Sequence, residues 1–386
     1  MIYKYFSIYN IMFTIFGLRK PFHITDENKK SVHRICAVLW SLMVISLTGF
    51  GYFFFVNFNN YLNLKHNLPD IDGVNNLIVN LIIVVLELTS DDIVFVQIYN
   101  IVRNIFSGLK ISDLSLRMFS YKLHLWIGFL SLLFLTLIIN EFVWGYRPYV
   151  FIFKLPLFFT ISHLNIHLCL LLAFLKAINF KLSQILSFNN EIISNQNVLI
   201  FKHEKMSKKR LVAYFLYARI SFIEMSSEYI DIKSLCHHYD DVATCVRLLE
   251  INHGTQMFFI VWLMFSSAII GVTIIIAMEK TLSWLVIAKV AQLYLWYYLC
   301  CYVNEQMCKE VEQTEILIMK YLINFKCDQS RRNLMSTFKQ LVSTNRIQFT
   351  ACNLFHLNYA NILRTIVSVI TYTIILNQLF WSGENN

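Results

Sequence analysis

Seven stretches of about twenty mostly apolar residues constrain this chain more than any other feature, because each is long enough to cross a bilayer core of about 30 Å as a helix. They run approximately over Ile35–Val56, Leu77–Ile98, Leu125–Trp144, Val150–Leu175, Met257–Met278, Leu282–Val303 and Asn361–Phe380. The second is interrupted by Glu87, Asp91 and Asp92, and the fourth carries Pro156 near its start. The 386 residues are 57% hydrophobic and 15% charged, with a mean hydropathy of +0.54. An ordinary soluble domain has about 25% charged residues, and a single soluble core stops growing beyond roughly 250–300 residues. A soluble helical protein is therefore excluded, and the formal charge of +9 reads as a matter of topology rather than of nucleic-acid binding.

The basic residues alternate between the connecting segments. The residues before the first span carry six Lys and Arg, the loop around Lys65 one, Arg103–Lys122 four, the loop at Arg147 one, Lys176–Gln256 ten, the loop at Lys280 one, and Lys309–Arg364 eight. One side thus holds 28 of the 33 and the other three, with Lys154 and Lys289 inside spans. Basic loops stay cytoplasmic. The pattern predicts an odd number of spans, a cytoplasmic N-terminus and an extracellular C-terminus. The fold class is all-α: a polytopic membrane protein of seven transmembrane helices with long cytoplasmic helical extensions. A G-protein-coupled receptor has the opposite orientation, and this seventh span contains no proline. The apolar segment Ile8–Leu18 precedes Arg19 and Lys20, the reverse of a secretory signal, and reads as interfacial.

Four units follow. Residues 1–34 form a cytoplasmic N-terminal segment. Residues 35–303 form a six-helix transmembrane ligand-binding bundle that includes a cytoplasmic helical loop, 176–256. Residues 304–360 supply cytoplasmic anchor helices, and 361–386 a pore-lining seventh helix with an extracellular tail. Leu211, Phe215, Ala218 and Phe222 keep helical spacing, as do Val311, Glu315, Ile318 and Leu322. The fourth, fifth and sixth spans are expected to continue into the cytoplasm and to bundle with a helix over Leu334–Leu354.

No phosphate loop, nucleophile elbow or His-Glu-x-x-His pattern is present, so no catalytic residue and no cofactor is expected. The nine cysteines show no CxxC pair and fall on the reduced side of the topology, so no structural disulfide is expected. Cys236-His237-His238 and the i, i+4 pair His163 and His167 have metal-ligand types without a third ligand; buried histidines bonded to neighbours are the better reading.

The polar residues inside spans carry more information, because ionisable groups in hydrocarbon are expensive unless paired or wet. Glu87 and Lys289 either neutralise each other or face a water-filled cavity. Lys289, Gln292 and Trp296 share one face of the sixth span. Asn140, Glu141 and Trp144 cluster at the outer end of the third, and Lys154 tops the fourth. Aromatic walls with a few polar hooks suit a small polar or amphipathic ligand; Trp144 and Trp284 serve equally as interfacial belt residues. The candidate pocket is thus Glu87, Asn140, Trp144, Lys154, Trp284, Lys289, Gln292 and Trp296. On the seventh span Ile370, Ile374, Asn377 and Trp381 fall along one face, with Thr373 beside it and Gln378 next to Asn377. Hydrophobic rings with an amide near one mouth gate by wetting and pass cations without tight selection.

At these residues the chain resembles the insect gustatory receptors, relatives of the insect olfactory receptors. That family ends in Thr-Tyr, five mostly apolar residues, then Gln-Phe. Here the run is Thr371-Tyr372, Thr373 to Asn377, then Gln378-Leu379, with Phe380 one place late. A weaker likeness covers Glu250–Phe265. The resemblance implies a tastant-gated, non-selective cation channel in the plasma membrane. It implies a tetramer, either a homotetramer or a heteromer with other gustatory receptors. The seventh helix would line the pore, Gln378 would lie at the gate, and a small-molecule tastant would bind among the first six spans. The class of tastant stays open. A multi-pass transporter, or an inverted seven-helix receptor signalling without its own pore, is the alternative; neither an internal repeat nor Gly/Pro-broken midplane helices favour the transporter.

Overall fold

The computed structural model describes residues 68–89, 92–109, 148–198, 232–277, 283–323 and 329–384, together with Gly128, Phe129, Leu132, Leu135, Thr136 and Ile139. The N-terminal segment, the first span, most of the third and the patterned stretch Leu211–Phe222 lie outside the described residues. The described chain is mostly helical: α1 Leu68–Thr89, α2 Asp92–Gly108, α3 Pro148–Val198, α4 Ile232–Ala277, α5 Ser283–Ile323, α6 Gln329–Thr344 and α7 Tyr359–Glu384. Two short antiparallel strands, β1 Thr350–Ala351 and β2 Phe355–His356, stand between α6 and α7 with Thr350 opposite His356 and Ala351 opposite Phe355.

Helices α3, α4 and α5 have 51, 46 and 41 residues. At about 1.5 Å per residue they are roughly 60–75 Å long, at least twice the ~30 Å hydrocarbon thickness. In α4 the division is visible in the charge. Lys233, Asp240, Asp241, Arg247 and Glu250 all precede Ile251, and no charged residue follows before Ala277. The span expected over Met257–Met278 falls in the uncharged second half. Among the described residues, three stretches are long and apolar enough to cross a membrane: Thr160–Leu186, Ile232–Thr273 and Tyr359–Leu376.

Helix α3 is the centre of the core. Leu164, Leu168, Leu171, Phe174, Leu175, Ile178 and Leu182 are buried against α5, α4 and α1. Below the apolar layer a polar lock ties α3 to α5. Asn179 Nδ2 donates to the carbonyl of Glu310 (2.8 Å) and to its Oε2 (2.9 Å), while Thr314 Oγ1 donates to Asn179 Oδ1 (2.6 Å). Lys181 Nζ donates to the carbonyl of Leu109 just past α2, where a cation meets the carbonyl end of the helix dipole. Helix α6 turns Met335, Phe338 and Val342 inward, and the Phe338 ring meets Tyr239 of α4 edge-on at 5.8 Å.

Two expectations are corrected. The stretch Leu77–Ile98 is not one helix: α1 ends at Thr89 and α2 starts at Asp92. The run Thr89-Ser90-Asp91-Asp92 has side chains that compete for backbone hydrogen bonds and favour helix starts over interiors. The helix expected over Leu334–Leu354 stops at Thr344. Beyond it Ile347, Phe349 and Ala351 are buried while Arg346 is exposed and Gln348 and Thr350 are half-buried, a period of two that builds a hairpin arm. Cys352 and Asn353 take left-handed φ of 52° and 56°, and Leu354 N donates to Ala351 O at 2.9 Å. Two successive left-handed residues make the tight reversal that suits a hairpin's twist.

Candidate ligand pocket and pore helix

Helix α5 places Gln292 and Trp296 one turn apart, both buried. Gln292 Nε2 donates to Thr136 Oγ1 at 3.1 Å. The Trp296 ring lies 5.5 Å from Phe158 of α3, and its Nε1–H, 1% exposed as a residue, meets no acceptor among the described residues. A buried donor without an acceptor costs its full desolvation. One turn along α5, Asn165 Nδ2 of α3 donates to Cys300 Sγ at 3.0 Å. Of the remaining pocket candidates, Glu87 lies on α1, Lys154 on α3, and Trp284 and Lys289 on α5, with side chains outside the described set. Asn140 and Trp144 lie outside the described residues altogether.

His163 and His167 are hydrogen-bonded within the fold. His167 Nδ1 bonds the His163 carbonyl at 3.0 Å, and His163 Nδ1 meets His253 Nε2 of α4 at 3.1 Å. Gln256 Oε1 can only accept, so His253 Nδ1 donates to it (2.6 Å) and His253 Nε2 accepts from His163. The His163–His253 contact links α3 to α4. His237 and His238 both approach Asp241, at 3.8 and 3.7 Å. No group of three or more His, Cys, Asp or Glu arranged for a metal occurs among the described residues.

Helix α7 is the least covered of the three long apolar stretches among the described residues. Its Tyr359–Leu376 stretch is only 11% buried, against 67% for Thr160–Leu186. Leu363, Val367, Ile370 and Ile374 are 53–64% exposed, and Gln378 continues their stripe, also exposed. The spacing of three and four makes this one helical face. Thr373 is on the other side: it is buried, and its Oγ1 bonds the Val369 carbonyl at 2.8 Å. The pair Thr371-Tyr372 is exposed. Thr371 Oγ1 bonds the Val367 carbonyl at 3.0 Å, and the Tyr372 ring meets Phe265 of α4 edge-on at 5.8 Å. Asn377, Leu379 and Trp381 lie on α7 with side chains outside the described set.

The foot of α7 carries contacts that the sequence alone did not single out. Asn358 Oδ1 caps the helix by accepting from Asn361 N (2.9 Å), and Asn361 Nδ2 donates to Tyr297 OH of α5 (3.1 Å). Asn304 of α5 and Glu250 of α4 bond the hairpin just before it. The one advance signal was Gly254, the lone glycine of residues 176–256: a Cβ there would stand 3.2 Å from the Cys352 backbone nitrogen.

A family model of the 7tm chemosensory receptors matches residues 6–379. The chain belongs to that family. As a chemosensory receptor it is a multi-pass membrane protein. Among solved structures it is similar to the insect olfactory receptor OR5 from Machilis hrabei, with a TM-score of 0.64 and 11% identity over 98% of each chain. It is equally similar to OR5 in complex with eugenol, with a TM-score of 0.63 and 12% identity over 97% of this chain and 98% of that one. Identity this low speaks for a shared fold alone. No curated protein matches the receptor in sequence.

Proposed function

We propose that this receptor is one subunit of a gustatory, tastant-gated, non-selective cation channel. It sits in the plasma membrane with its N-terminus cytoplasmic and its C-terminus extracellular, and assembles as a tetramer, either alone or with other gustatory receptors. The observation that carries the reading is the uncovered stripe of α7. Leu363, Val367, Ile370 and Ile374 are each more than half exposed and Gln378 is exposed with them, and a glutamine turned to hydrocarbon would be unsatisfied. A shared aqueous axis, lined by one α7 from each subunit, answers both facts. Ile370 and Ile374 supply hydrophobic rings; Asn377, Gln378 and Trp381 lie toward the mouth. Thr371 and Tyr372 brace the helix, and Thr373 packs behind it.

The ligand is a small molecule held by Gln292 and Trp296, with Glu87, Asn140, Trp144, Lys154, Trp284 and Lys289 as further candidates. The eugenol complex of OR5 supports a small amphipathic guest, and the family membership supports a chemosensory role.

Cysteine accessibility tests the pore. Ile374→Cys and Gln378→Cys are expected to make the sodium current of cells expressing the receptor sensitive to a charged thiol reagent, and Thr373→Cys is not. Equal block at all three positions, or no current above that of untransfected cells, would overturn the assignment.

A further inference from the structure

The segment between α6 and α7 is not a free linker; two helices hold it. From α5, the buried Asn304 side chain acts as an extra rung of the hairpin. Its Oδ1 accepts from Phe349 N at 2.9 Å, and its Nδ2 donates to Leu357 O at 2.8 Å and to Phe349 O at 3.4 Å. From α4, Glu250 Oε1 accepts from both the backbone N–H and the hydroxyl of Thr350, at 2.6 and 2.7 Å. One turn on, Gly254 lets the hairpin backbone lie directly on α4, with Thr350 O and Cys352 N 3.5 and 3.2 Å from where a Cβ would stand. Phe349, Ala351 and Leu357 are fully buried in this seat. Two residues after Leu357, α7 begins.

Tyr297 and Asn304 share a face of α5, seven residues apart, and both hold the chain around the foot of α7. Trp296, which faces the candidate pocket, is on the same unbroken helix eight residues from Asn304, about 12 Å along the axis. We propose that Glu250, Gly254 and Asn304 form a clamp that sets the resting position of the α7 foot, and through it the resting state of the pore. They are positioning residues: none touches permeant ion or ligand. The clamp makes α5 the link between pocket and pore, because a shift of α5 reaches the α7 foot through hydrogen bonds rather than through a flexible loop. This inference rests on α7 being the pore helix.

The test uses the full-length receptor in a cell line, reading the ligand-free sodium current normalised to surface-biotinylated protein. Glu250→Ala removes the acceptor and is expected to raise that current about fivefold or more, the scale of a coupling free energy of 1–3 kcal/mol. Glu250→Gln retains Oε1 as an acceptor for Thr350 and is expected to restore the wild-type value. Where Glu250→Ala does not reach the surface, Thr350→Val, which deletes the hydroxyl's contacts with Glu250 and Asn353 and keeps the backbone bond to Glu250, is expected to give a smaller rise. Wild-type current in Glu250→Ala, or in Thr350→Val where Glu250→Ala does not reach the surface, would overturn the clamp, as would a rise in Glu250→Gln equal to that in Glu250→Ala. Ile374→Ser, in the uncovered α7 stripe, separates the two readings. A current raised by Ile374→Ser but not by the clamp variants removes the clamp and leaves the channel. No change in any variant removes the channel as well.

Discussion

Gly108, the last residue of α2, lies so close to His238 of α4 that a Cβ on it would stand 2.4 Å from the imidazole's Cε1 and Nε2, far inside van der Waals contact. The absence of one side chain therefore sets the distance between these two helices. His238 is itself buried, held by Ser234 Oγ at 3.2 Å and facing Asp241. The position cannot give way cheaply.

Gly108→Ala is expected to destabilise the receptor by about 1–3 kcal/mol through overpacking. This reverses the usual sign, since glycine-to-alanine changes at permissive helical sites stabilise by a few tenths to about 1 kcal/mol. Thermal unfolding of the detergent-solubilised protein checks it. A melting temperature at or above wild type would mean that α2 and α4 slide apart freely.

The same contact predicts a dependence on pH. His238 lies in the charged first half of α4, ahead of the span expected over Met257–Met278. Burial is the main cause that lowers its pKa from the ordinary 6.5; Asp241 opposes the shift, and His237 and Lys181 add to it. The folded state thus binds a proton at His238 more weakly than the unfolded state, so this stability is complete above about pH 6.5 and declines as the pH falls below it. The loss of melting temperature between pH 7.5 and pH 5.5 is expected to shrink in His238→Gln. An unchanged loss would assign the acid sensitivity elsewhere.

Thr314 supplies a further check on the α3–α5 lock. It is fully buried and donates to Asn179 Oδ1. Thr314→Val keeps the shape but leaves the amide oxygen without that donor, at an expected cost of about 1–3 kcal/mol. Thr314→Ser keeps the hydroxyl and is expected to cost less. Equal melting temperatures for the valine variant and the wild type would show that the lock contributes nothing net.

Thiol reactivity reads out the hairpin directly. Cys352 is exposed at the reversal, whereas Cys245, Cys300 and Cys301 are buried, and burial pushes the thiol of Cys308 up to about 11. Brief maleimide treatment at neutral pH followed by peptide mapping is expected to label Cys352 and to spare Cys300 and Cys308 until the protein is denatured. Protection of Cys352 together with labelling of Cys300 would contradict the placement of the hairpin.

The features legible in the sequence are those written as long periodic patterns. The helix α7, the unusual length of α3 to α5 and the terminal Thr371-Tyr372 motif all emerge from hydrophobic spacing, charge placement and family resemblance. What was not legible depends on short-range backbone chemistry or on pairings across the fold. The alternation of Ile347, Phe349 and Ala351 covers too few residues to stand out beside the strong helical period of α6. Thr373 reads as lying beside the pore face because it neighbours Ile374 on the helix, and only the packing of α7 shows it turned inward. Asn304 gave no local cue, because its partners, Phe349 and Leu357, are about fifty residues away.

Helix α4 is a beam of 46 residues, and Gly254, where the hairpin backbone rests on it, stands almost at its midpoint. A beam that rocks about its middle moves least where it is supported. A tilt of about 5° would swing each end by about 3 Å, given arms of about 33 Å, yet leave the support point nearly still. The hairpin sits at this fulcrum, so rocking of α4 reaches the base of α7 as rotation and hardly at all as lift.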